Sequence, residues 1–320
     1  MSYTVEPVNV DERDELIEKY GDKVLYENKS DIYGCCIKLL TDNEDTKNRW
    51  QENFYFISQN IRSHGRLYAL TDPSIERMKV QYDAFTKTLF LLNCDYYGWT
   101  KSLALAIAGD VLEDEHQIYH VHGAAVDFNG TGVSIIAPSN TGKSTHSYGL
   151  LRQPETRLIS DDWYFVRLMG EDAVVFGSEK NFYIRIDVGD IWTEYKQLVE
   201  KAHFDNKERA VVNLRWVVGK GRIRTETTMK KVILLERDPK DPRIVAEMTP
   251  DEALEYLVDH DFCNPHQLVK DERKLRLRKD FFRQYLSKVD TYLVNTVRPP
   301  LETHKRILQL LKEGKTDRGQ

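Results

Sequence analysis

Ala137-Pro-Ser-Asn-Thr-Gly142-Lys143-Ser144 is the stretch on which the reading of this chain turns. It follows the phosphate-binding loop pattern G-x-x-x-x-G-K-[ST], with Ala137 in place of the first glycine. In such a loop the backbone N–H groups of Ser139, Asn140, Thr141, Gly142, Lys143, Ser144 and Thr145 converge on nucleotide phosphates. Lys143 then neutralises the β/γ oxygens and the Ser144 hydroxyl ligates Mg²⁺. The flanks have the required form. Gly132-Val-Ser-Ile-Ile136 reads as a short buried strand, and a helix can start at Ser144, adding its N-terminal partial charge to the anion site. The expected ligands are ATP, or another nucleoside triphosphate, and Mg²⁺.

Working outward, Ile118–Phe128 reads as one strand, and Asn129-Gly130 is a hairpin turn into the loop strand. Downstream, Arg157–Ser160 is a short strand ending in Asp161-Asp162. Further strands are predicted at Tyr164–Arg167, Ala173–Phe176, Lys231–Glu236 and Thr291–Val294, with a basic hairpin-like segment at Arg215–Arg224. Thr249-Pro-Asp-Glu252 is a capping box that starts a helix. After the Pro299-Pro300 break a last helix turns Ile307, Leu308 and Leu311 inward, and the tail beyond Lys312 is expected to fray. Upstream, the first sixty residues are charged and helix-like, with Trp50, Phe54, Ile57 and Ile61 as one apolar stripe. Strands follow at Arg66–Thr71, Met78–Asp83 and Thr88–Leu92, then a helix carrying Trp99, Leu103, Ile107 and Val111. Strands on both sides of the loop predict an α/β fold, a mixed-sheet P-loop nucleotide-binding domain, and not a simple parallel sheet. The predicted division is an α+β region at 1–115, a catalytic domain at 116–298, and a C-terminal helix and tail at 299–320.

Composition agrees with a globular enzyme: 320 residues, 41% hydrophobic and 30% charged. A net charge of −5 gives no reason to expect nucleic acid as a partner. Cys35, Cys36, Cys94 and Cys263 lack C-x-x-C spacing and read as the reduced thiols of a cytoplasmic protein. The N-terminus lacks a basic and apolar leader, and no run approaches eighteen apolar residues, so neither a signal peptide nor a membrane span is expected.

Asp161-Asp162 stands seventeen residues after Ser144. Two adjacent carboxylates beside a Mg–nucleotide can divide the labour, one holding the metal and the other accepting the proton of an attacking hydroxyl. His122 lies one hairpin before the loop, where a histidine can neutralise transferring phosphate or tune the catalytic aspartate. His120 shares its strand face, so either histidine can fill that place; His146, inside the loop helix, is expected behind the site. Phosphoryl transfer also asks for a further cation. Arg185 is the first candidate, with Arg215, Arg222 and Arg224 of the basic segment as alternatives. The run Lys270–Asp280, interleaved with Leu275, Leu277, Phe281 and Phe282, is expected to be the solvated face of a buried helix.

The run from His122-Gly-Ala-Ala-Val-Asp-Phe-Asn-Gly through the loop to Ser144, followed by Leu158-Ile-Ser-Asp-Asp162, resembles the catalytic core of HPr kinase/phosphorylase. That family has a His-Gly strand, a glycine-turn hairpin, a P-loop and an Asp-Asp pair in this order, and its core is related to that of phosphoenolpyruvate carboxykinases. The match covers about residues 118 to 168. The resemblance implies transfer of a nucleotide γ-phosphoryl group to a hydroxyl, with His122 as the active-site histidine and Lys143 and Ser144 at the phosphates and metal. It implies Asp161 on the metal side and Asp162 as general base. It also implies a homo-oligomer, since HPr kinases are hexameric.

The chain departs from that family at Lys180–Gly189, where the glycine-rich signature after the Asp pair is missing, and over its first sixty-odd residues. The wider HPr-kinase-like set includes enzymes for small molecules and modified peptides. The expected acceptor is therefore any hydroxyl-bearing partner: a protein or peptide serine, or a small alcohol. Two other functions fit parts of the pattern, a nucleotide-binding regulatory module without turnover and a carboxykinase-type lyase.

Overall fold

The computed structural model describes residues 3–205 and 207–312. The protein is mixed α/β, built on large sheets with both parallel and antiparallel pairs. It divides into two compact units. One comprises the chain up to His120 with Ser178–Asn181 and Pro265–Leu277; the other comprises Val121–Gly177, Phe182–Asn264 and the chain from Arg278 onward.

The first unit holds a seven-stranded sheet in the order Val5–Pro7, Lys79–Asp83, Thr88–Leu92, Gly65–Leu70, Cys35–Thr41, Tyr26–Ile32, Tyr55–Phe56. The helix Tyr97–His116 packs on its central strands and is buried along most of its length, including Leu103, Ala104, Ile107, Ala108 and Val111. Two strands, Tyr26–Ile32 and Cys35–Thr41, lie where helix was expected. The tight turn between them at Tyr33 and Gly34, both at positive φ, pairs them antiparallel. The apolar stripe from Trp50 to Ile61 is also corrected. The helix Glu44–Asn53 stops before Phe54, Trp50 and Phe54 pack edge to face in the core, and Ile61 is exposed. Helical spacing there survived by coincidence, because Tyr55–Phe56 leaves the helix to pair with Tyr26–Ile32.

In the second unit the sheet runs Thr156–Ser160, Ala124–Phe128, Thr131–Ile136, Glu226–Glu236, Asp172–Gly177, Trp163–Met169 and then Tyr119–His122, which belongs to this unit from Val121 on. Asp290–Asn295 joins Glu226–Glu236, and Val245–Met248 pairs with it in turn. The loop strand Thr131–Ile136 is antiparallel to Ala124–Phe128 and parallel to Glu226–Glu236, itself parallel to Asp290–Asn295. Three parallel strands thus end together at Ile136, Glu236 and Asn295. In open α/β sheets, ligands bind outside such carboxyl ends.

The expected single strand Ile118–Phe128 is two strands, parted at Gly123. A Cβ on Gly123 would stand 3.0 Å from the Ile135 carbonyl oxygen, so glycine lets the chain pass close to the loop strand as it changes place in the sheet. Asn129 and Gly130, both at positive φ, form the predicted hairpin turn. The basic segment Arg215–Arg224 is not a hairpin but a helical turn, Arg215–Val218, followed by a 3₁₀ turn, Lys220–Arg222. The capping box at Thr249 and Glu252 forms as predicted at the head of Pro250–Asp259. In the last helix, Pro300–Lys312, Ile307 and Leu310 are buried while Leu308 and Leu311 are partly so. The expected fraying after Lys312 lies outside the described residues.

The basic run Lys270–Asp280 is for the most part the expected solvated face, with Phe281 and Phe282 buried beyond it, but Lys274 and Arg278 turn inward. It opens the helix Glu272–Ser287, but Leu275 is exposed and Lys274 has no exposed surface. Lys274 Nζ sits among Asp110, Glu113 and Asp114 of the helix Tyr97–His116, at 2.6, 3.1 and 3.0 Å. Three carboxylates make a buried ammonium affordable there, as ions taken out of water must be paired.

Candidate functional site

Phosphate-loop geometry begins where the strand Thr131–Ile136 ends at the buried Ala137. The Thr141 hydroxyl donates to the Pro138 carbonyl at 2.7 Å, tying the loop to itself. Asn140 has φ 66° and Gly142 has φ 100°, conformations that aim successive N–H groups one way, and glycine takes the second without strain. The helix Lys143–Leu151 follows, its first intrahelical bond running from His146 N–H to the Gly142 carbonyl. The preceding N–H groups of its first turn have no intrahelical acceptor by construction, the arrangement by which helix N-termini can hold anions.

Three side chains from three elements converge beside this loop. Lys143 Nζ donates to Asp162 Oδ1 at 2.8 Å and lies 3.3 Å from His122 Nε2, which is itself 3.2 Å from Asp162 Oδ1. Lys143 begins the loop helix, His122 ends the strand Tyr119–His122, and Asp162 follows the strand Thr156–Ser160. Gly123 N–H donates to the Asp162 carbonyl at 2.8 Å, fastening the aspartate to the histidine strand. Burial, reinforced by the Lys143 ammonium, holds His122 below the ordinary imidazole range, against the opposing pull of Asp162 and of the Cys263 carbonyl. His122 Nδ1 donates to that carbonyl at 2.6 Å.

Asp161 is buried and points elsewhere, its Oδ2 accepting the Tyr183 N–H at 2.7 Å. Asp161 Oδ2 thus holds the Tyr183 N–H while Asp162 Oδ1 meets Lys143. An oriented, hydrogen-bonded carboxylate beside a phosphate loop has the character of a metal ligand held by its outer partner. Among the described residues no three His, Cys, Asp or Glu side chains cluster as a metal cage. Mg²⁺ at nucleotide sites commonly takes one or two protein oxygens with phosphates and water, and the Ser144 hydroxyl and the Asp161 carboxylate have that chemistry.

Of the two candidate histidines, His122 is the one beside Lys143. His120, two residues earlier on the same strand, has its Nδ1 2.9 Å from Glu113 Oε1. His146 lies behind the loop, parallel to His304 with ring centroids 5.9 Å apart. Arg222 and Arg224 are committed to the fold. Arg222 donates to the Leu151, Gln153 and Thr156 carbonyls, capping the loop helix, and Arg224 bonds Asp127 at 2.9 Å. Arg185 pairs with Asp187 at 3.2 Å. It shares a strand face with Tyr183, two residues from the N–H that holds Asp161. The Tyr183 N–H and the Cys263 carbonyl also take part in the site; both are backbone groups, whose roles no residue type announces.

No protein-family model matches this chain, and no curated protein matches it.

Proposed function

We propose that the protein is a Mg²⁺-dependent kinase of the HPr-kinase-like kind, built on the P-loop core that kind shares with phosphoenolpyruvate carboxykinases. It moves the γ-phosphoryl group of ATP to a hydroxyl of a protein, peptide or small molecule. The observation that carries this is the Lys143–Asp162–His122 cluster at the head of a phosphate loop. A loop for binding alone needs no carboxylate against its lysine.

Under this reading the loop amides from Ser139 to Thr145 hold the phosphates, and Lys143 neutralises charge on the β/γ oxygens. Asp162 accepts the proton of the attacking hydroxyl, and His122 fixes the lysine and the aspartate relative to each other. Ser144 and Asp161 would hold Mg²⁺, which supplies charge neutralisation at the phosphate oxygens. Arg185, two residues along its strand from the Tyr183 N–H that holds Asp161, is the candidate cation for the transferring group.

The test is to incubate the protein with Mg²⁺–ATP and a pooled set of amino acids, polyols and serine-containing peptides, reading mass gains of one phosphate. A product lost in Asp162→Asn supports the kinase and names its acceptor class. Intact nucleotide binding with no product in any pool, or in cell-extract proteins, would leave a nucleotide-binding regulatory module. Oxaloacetate consumption would instead revive the carboxykinase-type lyase.

A further inference from the structure

We infer that the turn Asp261-Phe262-Cys263 is a positioning element of this site. Its Cys263 carbonyl fixes the tautomer of His122 so that Nε2 presents a lone pair to Lys143. The inference rests on the kinase reading only where activity is measured.

The turn is unusual in its backbone. Asp261, Phe262 and Cys263 have φ of 51°, 55° and 52°, three successive non-glycine residues in the left-handed region. Single residues visit that region at turns, but a left-handed turn of L-residues is disfavoured at every position. Such a conformation persists where its surroundings over-determine it, and it clusters at functional sites. Here the surroundings are visible. Phe262 is buried, and its ring stacks on Phe282 with centroids 5.4 Å apart and planes 9° apart. Before the turn, the His260 ring stacks on Tyr256 at 4.2 Å, with Nδ1 2.8 Å from the Tyr256 carbonyl.

This backbone delivers the Cys263 carbonyl to His122 Nδ1 at 2.6 Å. A carbonyl only accepts, so Nδ1 carries the proton, and in a neutral ring Nε2 is then the acceptor. Nε2 faces Lys143 Nζ at 3.3 Å and Asp162 Oδ1 at 3.2 Å. With a lone pair there, His122 accepts from the ammonium and helps hold it on Asp162. With a proton on Nε2 in a neutral ring, that proton would turn to Asp162 Oδ1, Nδ1 would set an acceptor against the Cys263 carbonyl, and Lys143 would lose that hold. The turn thus sets the place of the phosphate-binding lysine from a distance of one side chain.

The test is ¹⁵N NMR of the histidine rings in the full chain near neutral pH, the His122 signals being assigned by their loss in His122→Gln. The expected pattern is a protonated Nδ1 and an unprotonated Nε2. Two substitutions separate carbonyl placement from side-chain packing. Cys263→Gly accepts the left-handed conformation and should keep both the His122 pattern and phosphoryl transfer. Cys263→Val, one methyl larger and β-branched, resists that conformation. It should shift His122 to the Nε2–H or an averaged pattern and lower transfer by about a hundredfold. A protonated Nε2 in the neutral wild-type ring overturns the inference, as does a Val variant, folded by circular dichroism, with an unchanged His122 pattern. If the Val variant does not fold, the wild-type spectrum decides alone. A wild type that phosphorylates nothing defeats the kinase reading without touching this one, since the tautomer is read without turnover.

Discussion

Lys143 Nζ and Asp162 Oδ1 form an ion pair at 2.8 Å, so the cation of the phosphate loop and the proposed base are held by each other. Asp162→Asn keeps the shape of the side chain and removes its charge and basicity. Phosphoryl transfer is expected to fall by about 10²- to 10⁴-fold, the usual contribution of general base catalysis. Nucleotide affinity is expected to hold or rise, because the lysine no longer shares its charge with a carboxylate. Parallel phosphotransfer assays and nucleotide titrations check this, and a matched loss of both would argue that Asp162 serves only to build the loop.

Removing the other partner has the opposite signature. Lys143→Met takes away the charged donor proposed to meet the phosphates, and a hydrogen bond of that kind contributes about 1.5–3 kcal/mol. Nucleotide binding should weaken roughly ten- to a hundredfold. Calorimetric titration measures it; an unchanged Kd would mean that the loop amides alone hold the ligand.

Asp161→Asn should separate metal from base. The amide oxygen can still accept the Tyr183 N–H, now 2.7 Å from Oδ2, so the local fold is kept while the negative charge is lost. Activity is expected to recover in part at raised Mg²⁺, whereas Asp162→Asn should not respond. A Mg²⁺ titration of both variants decides whether the carboxylates divide their roles as proposed.

Legibility from sequence followed the range of the interaction. The loop, its strand and its helix could be read because the motif is continuous, and His122 and Asp162 because both stand at ends of elements flanking it. Cys263 could not, since its part is played by a carbonyl 141 residues away from His122. The strands Tyr26–Ile32 and Cys35–Thr41 were hidden because charged residues on the first mask its alternation. Lys274 was read as solvated because a charge is normally outside. A signal did exist: Asp110, Glu113 and Asp114 repeat at i, i+3, i+4 on a helix otherwise apolar enough to be buried, and such a carboxylate stripe demands cations.

The pair His146 and His304 should set an acid limit on stability. Both are buried, at 2% and 3% exposure. Burial and the neighbouring His304 push His146 down to about 3, and burial with Arg152 pushes His304 down to about 4. Both folded values lie below the unfolded one, about 6.5. Above that pH both rings are neutral in either state and the stability is complete. As pH falls below it, the unfolded chain binds protons that the folded chain refuses. Stability is then lost at up to about 1.4 kcal/mol per pH unit for each histidine. Urea unfolding between about pH 7 and 5, above the main carboxylate range, should show this slope, and His304→Phe should reduce it. An equal slope in the variant would place the acid sensitivity elsewhere.

Lys274 offers the sharpest test of the buried charges in the first unit. Burial works to lower its pKa, but Glu113 and Asp110 outweigh that and hold it above the ordinary lysine value, so it stays charged. Lys87 shares the cluster, bonding Asp110 at 2.6 Å and Asp114 at 2.5 Å, and Arg273 bonds Asp114 at 2.9 Å. Lys274→Met fills similar space but leaves three carboxylates with two cations. Breaking a buried pair in this way costs about 3–5 kcal/mol, mostly as the desolvation of charge left uncompensated. Arg276→Met, two residues on and exposed, should change stability by no more than about 0.5 kcal/mol. Urea midpoints of the two variants make the comparison. Similar small losses would mean that water reaches the cluster and screens it; a large loss confined to Lys274→Met would show that this lysine, from a run that reads as surface, holds the carboxylate stripe of the long helix inside the fold.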